Sequence, residues 1–135
     1  MAQIFKITDE ERQELTSSVP LLGLNLEKFV SNFYQHFLDK DTLEFIKHHS
    51  KESLINMFSS SLNIIIAHTD ESFPTDEYIN TLKVQYPGIT IMLQNKGLFI
   101  SSFMQAIVDT LRENYNDRLG YLWYKAISSY VLCFK

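Results

Sequence analysis

The sequence predicts an all-α protein that forms a single domain. Apolar residues recur with a period near 3.6 in each apolar segment, which is the helical repeat. No Asn-Gly or Asp-Gly pair separates alternating runs, as it would in a β-hairpin, and all three prolines lie between periodic segments. A chain of 135 residues fits one compact domain. We therefore expect one helical domain over residues 1–135.

The first two helices are indicated by polar caps and by apolar spacing. Thr8 and Glu11 form a capping-box pattern. This pattern predicts a helix from Asp9 to about Ser18 that ends near Pro20. Asn25 is the predicted cap of the second helix. The apolar residues of that helix recur at helical spacing and are Leu26, Phe29, Val30, Phe33, Tyr34, Phe37 and Leu38.

A short turn and a long apolar helix are predicted next. Asp41 is expected to cap a turn that contains Phe45 and Ile46. Ser50 then begins a helix with a broad apolar face. The residues of this face are Leu54, Ile55, Met57, Phe58, Leu62, Ile65 and Ile66. A face this broad predicts deep burial.

The second half of the chain predicts three helices. Thr75 is the expected cap of a short helix that Pro87 and Gly88 end. A long helix from about Thr90 to Tyr115 follows, in which Gly97 would allow another backbone to approach closely. Asn116 or Asp117 caps the last helix, whose apolar face comprises Leu119, Leu122, Trp123, Ala126, Ile127, Tyr130, Val131 and Phe134.

Charge and composition exclude several classes of protein. The net charge is -4 and the basic residues are scattered, so nucleic acid is not an expected partner. The apolar runs are far shorter than a membrane span. The N-terminus lacks a signal-peptide pattern and Cys133 is the single cysteine, which fits a cytoplasmic protein. No phosphate-binding loop, nucleophile elbow or HExxH motif is present, so we expect no enzymatic activity.

The order of the predicted helices resembles that of the globins, especially the globin domains of bacterial sensors. The segments that resemble globin helices are FYQHF at Phe33–Phe37, FIKHHSKESLINMFSSSLNII from Phe45, and the helix that ends in YPGI. In haem-binding sensor globins the proximal histidine stands about four residues before the glycine of this last corner. That position holds Val84 here, and an aliphatic side chain has no lone pair to donate to iron. The resemblance therefore implies a globin-like fold without haem.

The four histidines leave one alternative open. His36, His48, His49 and His68 have no histidine partner four residues away, and Glu44 with His48 is weak evidence for a metal site. A haem-binding gas or redox sensor could use an unexpected axial ligand such as His68. We expect surface or capping histidines instead.

The chain resembles the haem-less, globin-like sporulation inhibitory proteins of spore-forming bacilli, which are similar to the sensor domain of a sporulation histidine kinase. The near-whole-chain helix order, Val84, and the end of the chain after the last helix carry this resemblance. It implies a dimeric sensor that binds a fatty acid in a hydrophobic tunnel, with a halide ion nearby. No residue can be assigned to the halide from the sequence.

The predicted ligand-binding residues are mainly aromatic. They are Phe33, Tyr34, Phe37, Phe45, Met57, Phe58, Leu82, Tyr86, Ile89 and Phe103. Tyr34 and Tyr86 are the expected polar contacts, because buried tyrosine hydroxyls usually need a partner. The alternative interpretation is that the same residues fill a closed core.

A homodimer is expected from a second stripe on the last helix. Tyr121, Tyr124 and Ser128 lie off its apolar face, and the predicted interface also includes Phe99. The alternative is that the tyrosines are partly exposed in a monomer.

The expected function is therefore that of a stand-alone, non-catalytic sensor. Sensor domains usually pass a signal to a following module, and here none is expected after Phe134 and Lys135. Such a chain can act by binding, and we expect it to inhibit sporulation by competing with a homologous histidine kinase for its signal. A helical interaction module without a ligand is the third alternative.

Overall fold

Seven α-helices account for most of residues 6–37 and 50–134, the part of the chain that this computed structural model describes. The helices are α1 (Asp9–Leu24), α2 (Leu26–His36), α3 (Lys51–Ala67), α4 (Thr75–Gln85), α5 (Gly88–Met92), α6 (Lys96–Leu111) and α7 (Asp117–Leu132). A single 3-10 turn, Arg112–Asn114, follows α6. The described residues form no β-strand, which confirms the all-α prediction.

Three of the predicted helix starts are confirmed by their capping hydrogen bonds. The Thr8 hydroxyl accepts from the Glu11 backbone N–H at 3.1 Å, and the Glu11 carboxylate accepts from the Thr8 N–H at 2.9 Å. Ser50 caps α3 by accepting from the Ser53 N–H. Asn116 caps α7 in the same way. Each cap satisfies a backbone donor that has no partner within its own helix.

The end of α1 and the start of α2 differ from the prediction. α1 continues through Pro20 to Leu24, because burial of the apolar Leu22 on its last turns outweighs the hydrogen bond that proline removes. Asn25 is then the single residue between the two helices. Its side chain donates to the Leu21 carbonyl at 3.1 Å and so does not cap α2.

The predicted long helix over residues 90–115 is two helices. α5 begins at Gly88, and the side chain of Asn95 starts α6 afresh by accepting from the Leu98 N–H at 3.2 Å. A Cβ added at Gly97 would meet no atom within 4 Å, so the predicted close approach there is wrong. Pro74, rather than Thr75, occupies the cap position of α4.

The centre of the core is a cluster of aromatic rings between α2, α3 and α6, which we call the aromatic cluster. α2 packs along α6, and α3 packs against α2. The members are Phe29, Phe33, Tyr34, Phe37, Phe58, Phe99 and Phe103. The six phenylalanines are at most 1% exposed. Large aromatic side chains such as these bury much apolar surface per residue.

Buried polar contacts attach α1 and α7 to the rest of the domain. The Trp123 indole N–H donates to the Ser18 hydroxyl at 3.0 Å, and the Tyr130 hydroxyl donates to Ser61 at 3.3 Å. Arg12 donates to both the side chain and the carbonyl of Thr69, at 2.7 and 2.8 Å. These contacts join segments that are far apart in sequence: the first links α7 to α1, the second links α7 to α3, and the third links α1 to the residues just after α3.

The Glu11 carboxylate is shared between the start of α1 and α7. The Thr8 backbone N–H and then the Lys125 ammonium, 3.4 Å away, hold the pKa of Glu11 below its ordinary value of 4.5. A lowered carboxyl pKa contributes stability that is present above the unfolded-state pKa and is lost as the pH falls through the folded-state pKa.

We expect Glu11→Gln to remove part of the acid sensitivity of folding. The free energy of unfolding of the wild type should fall more steeply below about pH 4.5 than that of the variant. Urea titrations between about pH 3 and pH 7 measure this difference. The exposed neighbour Glu10 offers the matched change Glu10→Gln, and an equal effect of both substitutions would contradict the shared-carboxylate interpretation.

Candidate functional site

Five of the ten predicted ligand-binding residues meet in the core rather than around an open tunnel. Phe33, Phe37, Phe58 and Phe103 belong to the aromatic cluster, with the rings of Phe33 and Phe58 only 4.8 Å apart. Met57 is also buried, at 2% exposure. Because these rings contact one another directly, the space among them is filled by side chains.

The two predicted tyrosine contacts lie at the margin of the core. Tyr34 is half-buried, and its hydroxyl donates to the Met92 sulfur at 3.6 Å. Burial raises the pKa of Tyr34 above its ordinary value of 10, so this hydroxyl stays protonated. Tyr86 is half-buried where α4 ends.

The remaining predicted ligand-binding residues do not belong to the aromatic cluster. Leu82 is 2% exposed on α4, and Ile89 is 1% exposed on α5. Phe45 lies outside the described residues, as do His48 and His49.

Val84 does not occupy an interior position. Its side chain is 80% exposed, so the prediction that it stands where a proximal ligand would face a pocket is wrong. Two residues of helix correspond to slightly more than half a turn, which puts Val84 nearly opposite Leu82. The residues that α4 turns inward are Ile79 and Leu82, and neither carries a donor atom for iron.

His68 is a buried residue at the end of α3. It is 3% exposed, and its Nδ1 lies 2.5 Å from the Ile65 carbonyl oxygen. Its ring packs 6.1 Å from that of Tyr130. Burial lowers the pKa of His68, which favours the neutral imidazole. This hydrogen bond and ring contact make His68 part of the packing between α3 and α7.

The four predicted dimer residues do not share one surface. Tyr121 and Tyr124 are 58% and 45% exposed on α7. Ser128 is buried within the chain, and Phe99 is 0% exposed in the aromatic cluster. A second copy could therefore contact the two tyrosines directly, but not the ring of Phe99.

A partly enclosed, mainly apolar groove lies between α3 and α4, and we call it the α3/α4 groove. Its volume is about 360 Å³. Two walls face each other because the chain reverses direction in the seven residues that join the helices. The wall from α3 consists of Ser60, Asn63, Ile64 and Ala67. The wall from α4 consists of Tyr78, Thr81, Leu82 and Gln85.

The two ends of the α3/α4 groove differ in polarity. Ala67 and Tyr78 stand next to the connecting segment, and Phe73 of that segment closes the groove by stacking on Tyr78 at 4.6 Å. Ser60 and Gln85 therefore lie at the opposite end. The groove has an aromatic, apolar end and an end that carries a hydroxyl and an amide.

The sequence pattern contained a signal for this groove. Both walls use the spacing i, i+3, i+4, i+7, which places four residues on one side of a helix. The apolar face predicted for α3 contained Ile65 and Ile66, which pack into the core, and did not contain Ile64 of the groove. The small residues Ser60 and Ala67 leave room beside Ile64, and their spacing of two helical turns could have indicated the groove.

A wider groove runs between α2 and the start of α3, and we call it the α2/α3 groove. It has a volume of about 660 Å³ and includes Tyr34 and Leu54 in its lining. Lys28 and Lys51 stand on its rim, where Lys51 pairs with Glu27. Because charged side chains line this groove, it suits an apolar ligand less well than the uncharged α3/α4 groove does.

Within residues 6–37 and 50–134, no three His, Cys, Asp or Glu side chains are grouped so that they could hold a metal ion. None of the helices in these ranges combines the length and the hydropathy that spanning a bilayer requires. Comparisons with protein-family models, with curated proteins and with solved structures each return no match.

Proposed function

We propose that the chain is a non-catalytic sensor domain with a globin-like fold that binds a fatty acid, and that the α3/α4 groove holds the acyl chain. The observation that carries this proposal is the groove itself, a cleft of about 360 Å³ with Ile64, Leu82 and the Phe73 ring as its apolar surface. Ligand sites in proteins usually occupy about 300–1,000 Å³ and are mostly apolar with a few polar groups.

The energetics of an acyl chain fit this cleft. Each methylene that leaves water contributes about 0.8 kcal/mol, so several buried methylenes offset the cost of ordering a flexible ligand. Of the predicted ligand-binding residues, Leu82 lines this groove. The aromatic cluster packs against α3 and shares no residue with the lining of the groove, so a ligand in the groove need not displace it.

The proposed biological role follows from the resemblance. A cytoplasmic sensor of this kind, acting as a homodimer with a halide ion near its ligand, would inhibit sporulation by taking the fatty-acid signal from a homologous sensor histidine kinase. Its abundance would set the strength of inhibition, because the free ligand divides between the two proteins by mass action. No haem takes part in this proposal, since Ile79 and Leu82 are the residues that α4 turns inward.

Filling the α3/α4 groove is expected to weaken fatty-acid binding strongly. Asn63 is exposed on the α3 wall, so Asn63→Trp would place an indole in the groove without disturbing the core. Asn56 is also exposed on α3, two helical turns earlier and outside the groove, and Asn56→Trp is the matched control. Isothermal titration with decanoate should show at least a tenfold weaker affinity for Asn63→Trp and no change for Asn56→Trp.

Three results would contradict the proposed site or the proposed ligand. Equal affinities of both tryptophan variants and the wild type would place the ligand elsewhere. Solvent extraction of the purified protein that yields no acyl chain, together with no heat of decanoate binding, would favour the ligand-free interaction module. A Soret band after purification with added haem, lost in His68→Ala, would favour the haem sensor.

The regulatory role has its own test. Overproduction of the wild-type chain in a spore-forming bacillus is expected to reduce the spore count, and overproduction of Asn63→Trp at the same level is not. If both proteins reduced the spore count equally, the inhibition would not depend on ligand binding.

A further inference from the structure

We infer that the α3/α4 groove recognises its ligand without using the charge of the head group, so that it takes uncharged single-chain amphiphiles as readily as fatty acids, with the head group at the Ser60 and Gln85 end. This inference rests on the proposed function, because it concerns the ligand of the same groove. It adds the chemical class of the head group and the direction of the chain.

The first argument is the charge of the lining. Every described residue that lines the groove is uncharged at neutral pH. Lys83 on α4 lies over the ring of Phe134, with its Nζ 5.9 Å from the ring centre, and does not belong to the lining. A carboxylate buried in this groove would meet hydrogen-bond donors but no cation, so the lining replaces only part of the hydration that it loses. It must therefore remain at the mouth of the groove, where its charge contributes little.

The second argument is the polarity along the groove. Phe73, Tyr78 and Ala67 surround one end, which suits the methyl end of an acyl chain. Ser60 and Gln85 mark the other end and can both donate and accept hydrogen bonds. A hydroxyl, an amide or an ester carbonyl meets the same partners there as a carboxylate oxygen does.

The α2/α3 groove provides the contrast within the same molecule. Lys51 in its lining is paired with Glu27, but the ammonium group of Lys28 would attract a carboxylate, and salt would weaken that attraction. Binding that depends on the acid group and on ionic strength would therefore indicate the α2/α3 groove. Binding that depends on neither indicates the α3/α4 groove.

The first experiment compares decanoate with decan-1-ol by isothermal titration of the full chain at low and high salt. We expect dissociation constants within about threefold of each other and a change of less than twofold with salt. The inference would be overturned if decanoate bound at least tenfold more tightly than decan-1-ol and if its affinity fell with salt and in Lys28→Gln. The protein would then still bind fatty acids, so the proposed function would stand. Failure of both probes to bind would overturn the proposed function as well.

The second experiment tests the direction of the chain by adding a charge. Gln85→Lys places an ammonium group at the polar end, and we expect it to tighten decanoate about two- to fivefold while leaving decan-1-ol unchanged. Gln94→Lys adds the same charge at an exposed residue outside the groove and should change neither affinity. Equal effects of the two lysines on decanoate would mean that the head group does not lie beside Gln85.

Discussion

Phe33→Ala is expected to lower the free energy of unfolding by about 3–5 kcal/mol, the range typical of a large aromatic side chain removed from a packed core. The Phe33 ring is 0% exposed and contacts Phe58, Phe37, Phe99 and Phe103 at centre distances of 4.8, 5.2, 5.6 and 6.4 Å. The substitution therefore leaves a cavity between three helices, and the neighbouring rings cannot move far enough to fill it. Urea unfolding followed by circular dichroism measures the loss.

Val84→Ala provides the control for this prediction. It also shortens an apolar side chain, but at a position that is 80% exposed, so we expect a change within about 0.5 kcal/mol. A loss below about 1 kcal/mol for Phe33→Ala would mean that the aromatic cluster repacks, and that the core can open to a ligand as the sequence had suggested.

Ser18→Ala is expected to cost about 1–3 kcal/mol, because it leaves the buried Trp123 indole N–H without its acceptor. Trp123 is 0% exposed and Ser18 is 4% exposed, so water does not easily replace the lost hydroxyl. Thermal or urea unfolding of the variant checks the value.

The adjacent residue gives the matched control. The Ser17 hydroxyl is exposed and donates only to the Gln13 carbonyl of its own helix, so Ser17→Ala should change stability by less than about 0.5 kcal/mol. In a Trp123→Phe background, Ser18→Ala should lose most of its effect, since the donor is then gone. An undiminished effect there would show that the indole contact is not the cause.

The helical class and several helix starts could be predicted because they depend on local patterns. The capping box at Thr8 and Glu11, and the caps at Ser50 and Asn116, need only residues three positions apart. The buried apolar residues of α2, α3 and α7 could likewise be predicted from the helical spacing within each segment.

The boundaries that were missed depend on contacts between segments. Pro20 suggested a helix end, but Leu22 beyond it is buried against other helices, and that burial keeps α1 continuous. Asn95 lies within an apolar pattern that reads as one helix, yet its side chain caps α6 and divides the pattern in two. Tertiary burial and a single cap therefore overrode the local expectation.

The candidate site was harder to predict than the fold. An aromatic, globin-like pattern indicated a ligand tunnel, but whether rings enclose a space or fill it depends on their mutual contacts, which spacing along the chain does not specify. Counting back from Gly88 to the position of a proximal ligand gave Val84. In the structure, Ile79 and Leu82 are the residues of α4 that are buried. The α3/α4 groove arises from two walls that only the chain reversal brings together.

The burial of Trp123 has a practical consequence for spectroscopy. It is the only tryptophan of the chain, it is wholly enclosed, and its ring centre lies 6.4 Å from that of Phe103. Its emission should be displaced to short wavelengths in the native protein and should move to long wavelengths when α1 and α7 separate from the core. Because the indole is not part of the α3/α4 groove lining, this signal reports unfolding without interference from a bound amphiphile.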